Sequence, residues 1–175
     1  MMLAGMKSGW TQSLQCLDDV ILDVLDRQIV VSRLFQAPPD QLFDFWLDQN
    51  HLSKWWGPNG FTITTHEAAA QEGGTWRFTM HGPDGVDYAN LITYDEIDRP
   101  NRLVLTHKAP GTSAPGFQTT VTFDEFMGQT ALTLRNVFPD TTARNEVVEK
   151  HNALEGAKQT LDRLGELVGS GAAVA

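Results

Sequence analysis

The side chains that could perform acid–base or metal chemistry are few and lie far apart in this sequence. The histidines show no metal-ligand spacing; they are His51, His66, His81, His107 and His151. The G-x-S-x-G, G-x-x-x-x-G-K-S/T, G-x-G-x-x-G and H-E-x-x-H signatures are absent. These patterns predict no catalytic residue, metal or cofactor. Proton transfer remains an open alternative if Tyr88 and His107, or Glu96, come within hydrogen-bond distance of a substrate or of each other.

A second chemistry open to these residues is ligand binding, in which a few buried polar side chains anchor a molecule in an apolar pocket. Alternation along residues 88–97 predicts an inward-facing set, which is Tyr88, Asn90, Ile92 and Tyr94. A register shift of one residue would turn the opposite set inward, which is Leu91, Thr93 and Ile97.

The remaining candidates for the pocket lining come from strand parity, from the inner face of the last helix and from a tryptophan pair. They are Trp55, Trp56, Trp76, Phe78, Met80, Leu105, His107, Phe123, Asn136, His151 and Leu154. For the aliphatic candidates, packing into an ordinary core is the favoured interpretation. For the polar candidates, a satisfied core position and a ligand contact are equally open, because a buried polar group needs a partner of some kind.

The adjacent Trp55 and Trp56 can take two different roles. An indole can anchor a short helix to the sheet, and it can also stack on a flat ligand at the mouth of a cavity. We expect one tryptophan to take each role, and the sequence does not say which. The pair Gly73-Gly74 is interpreted as a tight turn and not as a phosphate-binding loop.

Local signals divide the chain from residue 28 into strands followed by a long helix. Residues 29–35 are rich in β-branched and apolar side chains and end at Ala37-Pro38-Pro39, which predicts a strand. Two short helices should follow, the second beginning near Asp48 and ending at Gly57-Pro58. Six further strands succeed one another without intervening helices, which indicates an antiparallel sheet.

The final segment carries the clearest periodicity. Apolar side chains recur three or four residues apart, as on one face of a helix of about six turns that Thr141 or Thr142 can cap and Gly169 can end. That face consists of Val147, His151, Leu154, Ala157, Leu161, Leu164 and Val168. A long helix laid across a curved antiparallel sheet leaves a hollow between them, so the pattern predicts an α+β fold with a pocket.

Composition limits the classes of partner and the location. The 175 residues carry a formal net charge of −9, which disfavours nucleic acid and anionic membrane surfaces. No stretch reaches the roughly 18 apolar residues needed to cross a bilayer, and the N-terminus lacks the pattern of a secretory signal. Cys16 is the only cysteine, so no intrachain disulfide can form and a reducing cytoplasm is the expected location.

The same signals predict how the chain is divided. Residues 1–27 should form an N-terminal appendage, which is either a short helix or partly disordered. Residues 28–169 should form one domain, and residues 170–175 should form a tail. The length agrees with a single domain and no internal repeat.

Five short motifs occur together in an order that is specific to one family. They are Arg33-Leu34-Phe35-Gln36-Ala37-Pro38, Trp55-Trp56-Gly57-Pro58, Gly73-Gly74-Thr75-Trp76-Arg77-Phe78, Pro100-Asn101-Arg102-Leu103-Val104 and Leu161-Asp162-Arg163-Leu164. Over about residues 28–168 the chain resembles the activator of heat-shock protein 90 ATPase homologue-like family of the START/SRPBCC superfamily. This resemblance implies the helix-grip fold, in which a seven-stranded curved antiparallel sheet surrounds a long C-terminal helix over a hydrophobic cavity, with two short helices after the first strand.

Two departures from the family pattern bear on the cavity. Family members commonly carry Trp directly after the glycine of the last helix, whereas here Ala157 follows Gly156, which would enlarge the cavity. The acidic–basic run that often precedes the paired glycines is replaced by Ala68-Ala69-Ala70-Gln71-Glu72, so a polar role there is not carried over. The eukaryotic co-chaperone also has a separate N-terminal domain that the predicted appendage is too short to supply, so co-chaperone activity is not carried over either.

Three functions remain in competition. The favoured one is binding of a small hydrophobic or aromatic molecule between the helix and the sheet, for transport, sequestration or sensing. An enzyme of the cyclase or hydrolase type that uses the same cavity is the alternative implied by related helix-grip proteins, and a stress- or chaperone-related interaction module is the third. The expected partner is a small apolar molecule, with no nucleic acid and no membrane insertion, and a homodimer through exposed strand edges is also consistent with the sequence.

Overall fold

The structure, a computed structural model, describes residues 25–171. After strand β1 (Gln28–Phe35) come two short helices, α1 (Pro39–Leu47) and α2 (Gln49–Trp55). The next six strands are β2 (Thr62–Ala68), β3 (Thr75–His81), β4 (Asp87–Asp98), β5 (Arg102–Lys108), β6 (Phe117–Phe126) and β7 (Gln129–Val137). The last elements are the helices α3 (Thr141–His151) and α4 (Ala153–Gly169). The predicted appendage over 1–27 and the tail over 170–175 lie mostly outside the described residues.

All seven strands belong to one sheet with the order β1-β7-β6-β5-β4-β3-β2. The first strand pairs with the last, and every other pair joins strands that are consecutive in sequence; all six pairs are antiparallel. The predicted α+β architecture is thereby confirmed, including the two short helices after β1. No helix among residues 25–171 combines the length and apolar character that crossing a bilayer requires.

Helices α1 and α2 fill one half of the concave face of the sheet. Phe43 and Trp46 of α1 contact Phe123 on β6, with ring centroids 5.0 and 6.4 Å apart. Trp55 at the end of α2 is fully buried, and its indole N–H donates to the backbone carbonyl of Phe45 at 3.2 Å. Aromatic packing therefore closes this half of the sheet and leaves the half towards α3 less filled.

Strand β4 has the predicted register, with one irregularity. Ile92 and Tyr94 are each 1% exposed, so the chosen parity and not the shifted one describes the inner face. A bulge between Tyr94 and Glu96 then reverses the alternation, because Tyr94 pairs with Leu105 whereas Ile97 pairs with Leu103. Ile97, which simple alternation places on the outer face, consequently packs against the core.

The C-terminal helix is interrupted where the sequence predicts one continuous helix. Asn152 adopts a left-handed conformation, with φ 49° and ψ 41°, and separates α3 from α4. Asparagine is one of the few residues that enter this region at low cost, and its backbone N–H still bonds to the carbonyl of Val147. Helix α3 has no buried residue, whereas α4 buries Thr160, Leu161 and Leu164. The helical face therefore changes phase at Asn152.

The start of α3 also differs from the prediction that Thr141 or Thr142 caps it. The cap is Asp140, whose carboxylate accepts a hydrogen bond from the N–H of Ala143 at 2.7 Å. A carboxylate at this position satisfies one free N–H group and places negative charge at the positive end of the helix dipole. Gly169 ends α4 as predicted.

The turn between β6 and β7 carries backbone strain that a substitution can relieve. Met127 has φ 52° and Gly128 has φ 78°, the combination for which Asn-Gly is preferred in two-residue hairpins. Met127 is 87% exposed, so its side chain contributes little packing. Met127→Asn should raise the free energy of unfolding by about 1 kcal/mol, measured by urea denaturation. Met127→Ala is the control, because it removes the same side chain without favouring positive φ; an equal gain in both variants would contradict the explanation.

Candidate ligand-binding site

The site is a hollow between α4 and the concave face of the sheet, with a volume of about 250 Å³. We call it the inner cavity. Its lining comes from five consecutive strands, from α4, from the end of α3 and from the segment after α2. The lining residues are Trp56, Gly57, Pro58, Met80, Asn90, His107, Phe117, Thr119, Leu134, Asn136, His151, Ala153, Gly156, Ala157 and Thr160.

Two larger cavities adjoin the inner cavity. The first outer cavity, about 540 Å³, lies between residues 58–61 and the junction of α3 with α4. The second outer cavity, about 690 Å³, lies between α3 and the loop over residues 109–116. Asn90 and His151 line all three cavities, so the three spaces meet at these side chains.

The segment Trp56-Gly57-Pro58, which forms one wall of the inner cavity, is held by Arg163 of α4. The guanidinium Nη1 donates to the carbonyls of Gly57 at 2.9 Å and Pro58 at 3.1 Å, and Nη2 donates to the carbonyl of Lys54 at 3.0 Å. Gly57 has φ +92°, a conformation that favours glycine. A single side chain therefore joins the final turn of α2, the cavity wall and the C-terminal helix.

Aromatic rings form a continuous group along the inner cavity. The His107 ring stacks on Phe117, with centroids 4.3 Å apart and planes 14° apart, and lies nearly parallel to Trp56 at 5.9 Å. Phe117 stacks in turn on Phe138 at 4.9 Å. Trp56 also meets Trp76 edge to face. Trp56, His107 and Phe117 of this group form an aromatic wall of the inner cavity.

His107 belongs to a hydrogen-bonded chain beside these rings. The hydroxyl of Thr119 donates to Asn136 Oδ1 at 2.7 Å, and Thr119 Oγ1 lies 2.9 Å from His107 Nε2. Thr119 is 1% exposed. Burial disfavours the charged imidazolium and lowers the pKa of His107 to about 3, so the ring is neutral near pH 7. The polar groups that His107, Thr119 and Asn136 contribute to the cavity wall are therefore uncharged near pH 7.

The structure brings several of the sequence-predicted site residues to the cavities. Trp56, Met80, Asn90, His107, Asn136 and His151 line the inner cavity. Tyr88 lines both outer cavities and is 37% exposed. Of the tryptophan pair, Trp55 is the buried anchor and Trp56 lies at the cavity.

The other predicted lining residues do not line any of these three cavities. Trp55, Trp76, Phe78, Ile92, Tyr94, Leu105 and Phe123 are buried in the core. They lie on the predicted inner face, but α1, α2 and their own neighbours cover that part of it. Leu154 is 39% exposed, because the change of helical phase at Asn152 removes it from the inner face.

Two residues of β6 that line the inner cavity, Phe117 and Thr119, were not among the predicted site residues. Both have the same parity as Val121 and Phe123, which are buried. Extending the period-two pattern of Val121 and Phe123 back by two steps would have placed both residues on the inner face.

The acid–base pair that the sequence left open is not assembled. Within residues 25–171, Tyr88 and His107 form no hydrogen bond with each other, and His107 Nε2 is bonded to Thr119 instead. Glu96 forms an ion pair with Arg102, at 3.6 Å, away from the cavity lining. No group of three or more His, Cys, Asp or Glu side chains in the described part of the chain is placed to hold a metal ion.

A long helix gripped by a seven-stranded antiparallel sheet, with a cavity between them, defines the helix-grip class of α+β domains. Solved structures with the same fold include protein CV1439 from Chromobacterium violaceum, which is 25% identical, with a TM-score of 0.71 over 81% of this chain and 96% of that chain. Protein Ms6760 from Mycobacterium smegmatis is 24% identical, with a TM-score of 0.74 over 83% of this chain and 92% of that one. An Arthrobacter aurescens protein is 21% identical, with a TM-score of 0.75 over 87% and 92%.

The particular family follows from the sequence match. The family model described as Activator of Hsp90 ATPase homolog 1-like protein matches residues 36–169, and the chain belongs to this family. The resemblance drawn from the five motifs is thereby confirmed. Members of this fold commonly bind hydrophobic ligands. No functionally curated protein matches the sequence.

Proposed function

We propose that the protein binds a small hydrophobic or aromatic molecule in the inner cavity. The observation that carries the proposal is the cavity itself, about 250 Å³ beside an otherwise packed aromatic core. The inner cavity is partly open and lies between α4 and the sheet, and concave, mostly apolar hollows of this kind are where proteins usually bind small molecules. Its volume lies just below the range of roughly 300–1,000 Å³ typical of drug-sized ligands, which favours a small molecule of about two rings.

The chemistry of the lining supports the same proposal. Trp56, Phe117 and Leu134 supply apolar surface, and a few neutral polar groups provide hydrogen bonds. This combination is typical of small-molecule sites, where apolar area gives affinity and a few polar atoms give orientation. The exposed side chains of Asn59, Lys150 and Glu155 line the first outer cavity, which gives a ligand a route from water.

A substitution that fills the cavity tests the proposal. Ala157 lines the inner cavity, and an indole at this position would occupy the space that a ligand needs. We expect native mass spectrometry of the purified protein to detect a noncovalently bound small molecule, and Ala157→Trp to lose it. In equilibrium dialysis with naphthalene, Ala157→Trp should weaken binding by about tenfold or more, which corresponds to 1.4 kcal/mol or more.

The matched control is Lys158→Trp, because Lys158 is exposed on the same helix and lines none of the three cavities. This variant should bind naphthalene as the unmodified protein does. Equal binding by the unmodified protein and Ala157→Trp would place the ligand elsewhere. Absence of naphthalene binding, together with no co-purified molecule in several preparations, would overturn the proposed function.

A further inference from the structure

The directions of the hydrogen bonds around His107 fix which ring nitrogen carries the proton. The hydroxyl of Thr119 has one hydrogen, and it is donated to Asn136 Oδ1, an atom that can only accept. Thr119 Oγ1 must therefore accept in its second contact, so the 2.9 Å bond runs from the N–H at His107 Nε2 to Thr119. A neutral imidazole carries one N–H, which leaves Nδ1 as an acceptor.

The acceptor at Nδ1 has no donor within the part of the chain that the structure describes. The hydrogen bond of His107 to Thr119 uses Nε2, and no residue among 25–171 bonds to Nδ1. The lowered pKa of His107 keeps this nitrogen unprotonated across the neutral and mildly acidic range. Because His107 lines the inner cavity, a ligand there can supply the missing donor.

The rings around His107 add a requirement on shape. Trp56 and Phe117 lie within 16° of the plane of the imidazole, so the surfaces near His107 are close to parallel. Along a wall of parallel rings, a flat ring system makes more contact than a branched aliphatic molecule of the same size. The lone pair of Nδ1 lies in the plane of the imidazole, so a donor reaches it at the edge of the ring. A flat ligand beside that edge can place an in-plane hydroxyl there.

We propose that the inner cavity selects flat aromatic molecules that carry a hydrogen-bond donor, such as a phenolic hydroxyl, and that His107 Nδ1 accepts this bond. The inference rests on the proposed function and adds to it the chemical class of the ligand. Thr119 acts as a positioning residue, since its hydroxyl holds the imidazole in the tautomer that presents an acceptor. An ether or a hydrocarbon of the same shape leaves Nδ1 without a donor.

Three probes with two fused rings distinguish the effect of the hydrogen-bond donor on affinity from the effect of ring shape. We expect 2-naphthol to bind about tenfold more tightly than 2-methoxynaphthalene, which has an oxygen at the same place without a hydrogen, and than naphthalene. Equilibrium dialysis at pH 7 measures all three. Equal affinity of 2-naphthol and 2-methoxynaphthalene, with both bound, would overturn the selectivity and leave the proposed function standing. Failure of all three probes to bind would overturn the selectivity, and together with the absence of a co-purified molecule it would overturn the proposed function as well.

Variants at Thr119 test the tautomer directly. Thr119→Val removes the acceptor for the N–H at Nε2, so the imidazole can move its proton to Nδ1 and the ratio of the 2-naphthol to the 2-methoxynaphthalene association constant should fall towards one. Thr119→Ser keeps a hydroxyl at the same position and should keep the tenfold ratio. A ratio that is unchanged in Thr119→Val would overturn the role of His107 Nδ1, because the preference would then not depend on the tautomer. A 15N spectrum of His107 gives an independent readout, with the proton expected on Nε2 in the unmodified protein and in Thr119→Ser.

Discussion

Arg163→Met should lower the free energy of unfolding by about 3 kcal/mol. In the native structure the guanidinium of Arg163 donates to the carbonyls of Lys54, Gly57 and Pro58. A hydrogen bond to a charged group contributes roughly 1.5–3 kcal/mol, and methionine keeps the aliphatic bulk while it leaves those carbonyls without a donor. Guanidinium chloride denaturation followed by far-ultraviolet circular dichroism measures the loss.

Two further variants separate this effect from a general loss of charge. Arg163→Lys should recover only part of the stability, since an ammonium group cannot reproduce a planar fork that reaches several carbonyls at once. Lys158→Met removes an exposed cation whose ion pair with Glu155 is 3.8 Å long, and it should change the free energy of unfolding by less than about 0.5 kcal/mol. A loss below about 1 kcal/mol in Arg163→Met would show that solvent replaces the guanidinium at the carbonyls.

The role of Arg163 illustrates what sequence patterns convey and what they omit. The residue stands in one of the five motifs and Trp56-Gly57-Pro58 stands in another, so the sequence marked both ends of the interaction. Their contact joins residues more than 100 positions apart, for example Arg163 to Gly57, and no local periodicity reports on such a pair. The order of the motifs along the chain predicted the fold. The hydrogen bonds between the motifs are seen only in the folded structure.

The sheet was predictable for a related reason. Period-two alternation is a local property, and strands that follow one another without helices usually pair as antiparallel neighbours, as β2 to β7 do, so the antiparallel sheet could be predicted from the chain. The bulge after Tyr94 was not predictable, because one inserted residue changes the face of everything beyond it without a clear compositional signal. The same limit applies at Asn152, where heptad-like spacing continues in sequence although the helix does not.

The alternation along the strands could not predict which inward-facing residues are packed in the core and which line the cavity. Alternation showed which side chains point inward, and it correctly placed Trp76, Ile92 and Leu105 on that face. Whether an inward side chain meets a cavity or another side chain depends on what covers it. Phe43 and Trp46 of α1 cover the half of the sheet near Phe123. This arrangement depends on the tertiary packing of the segment that follows β1.

Acid should destabilise the protein more than it destabilises a His107→Gln variant. An unfolded histidine has a pKa of about 6.5, whereas burial lowers that of native His107 to about 3. Between these two values the unfolded chain binds a proton that the native state excludes, so stability falls as the pH falls. From pH 7.5 to pH 5.0 the unmodified protein should lose about 2 kcal/mol more than the variant does, since each pKa unit corresponds to 1.36 kcal/mol.

Glutamine is the informative replacement because its amide can donate to Thr119 Oγ1, as the N–H at Nε2 does, but does not titrate. Urea denaturation at pH 7.5, 6.0 and 5.0 gives the difference directly. Asp48 also responds to acid: burial raises its pKa, but hydrogen bonds from His51 and from the N–H of Asn50 outweigh this and lower it overall. That contribution is lost only at more acidic pH, as the native carboxylate is protonated, and it is the same in both proteins.

A second control isolates His107 from the other histidines. His66 lies on the exposed strand β2, where its Nε2 contacts the hydroxyl of Thr79 at 2.8 Å. His66→Gln measures the effect of losing one histidine from the surface. Between pH 7.5 and pH 5.0, His107→Gln should lose about 2 kcal/mol less unfolding free energy than His66→Gln does. Parallel pH profiles for the two variants would mean that His107 is hydrated in solution, and the neutral imidazole on which the selectivity for hydrogen-bond donors depends would then be lost in mild acid.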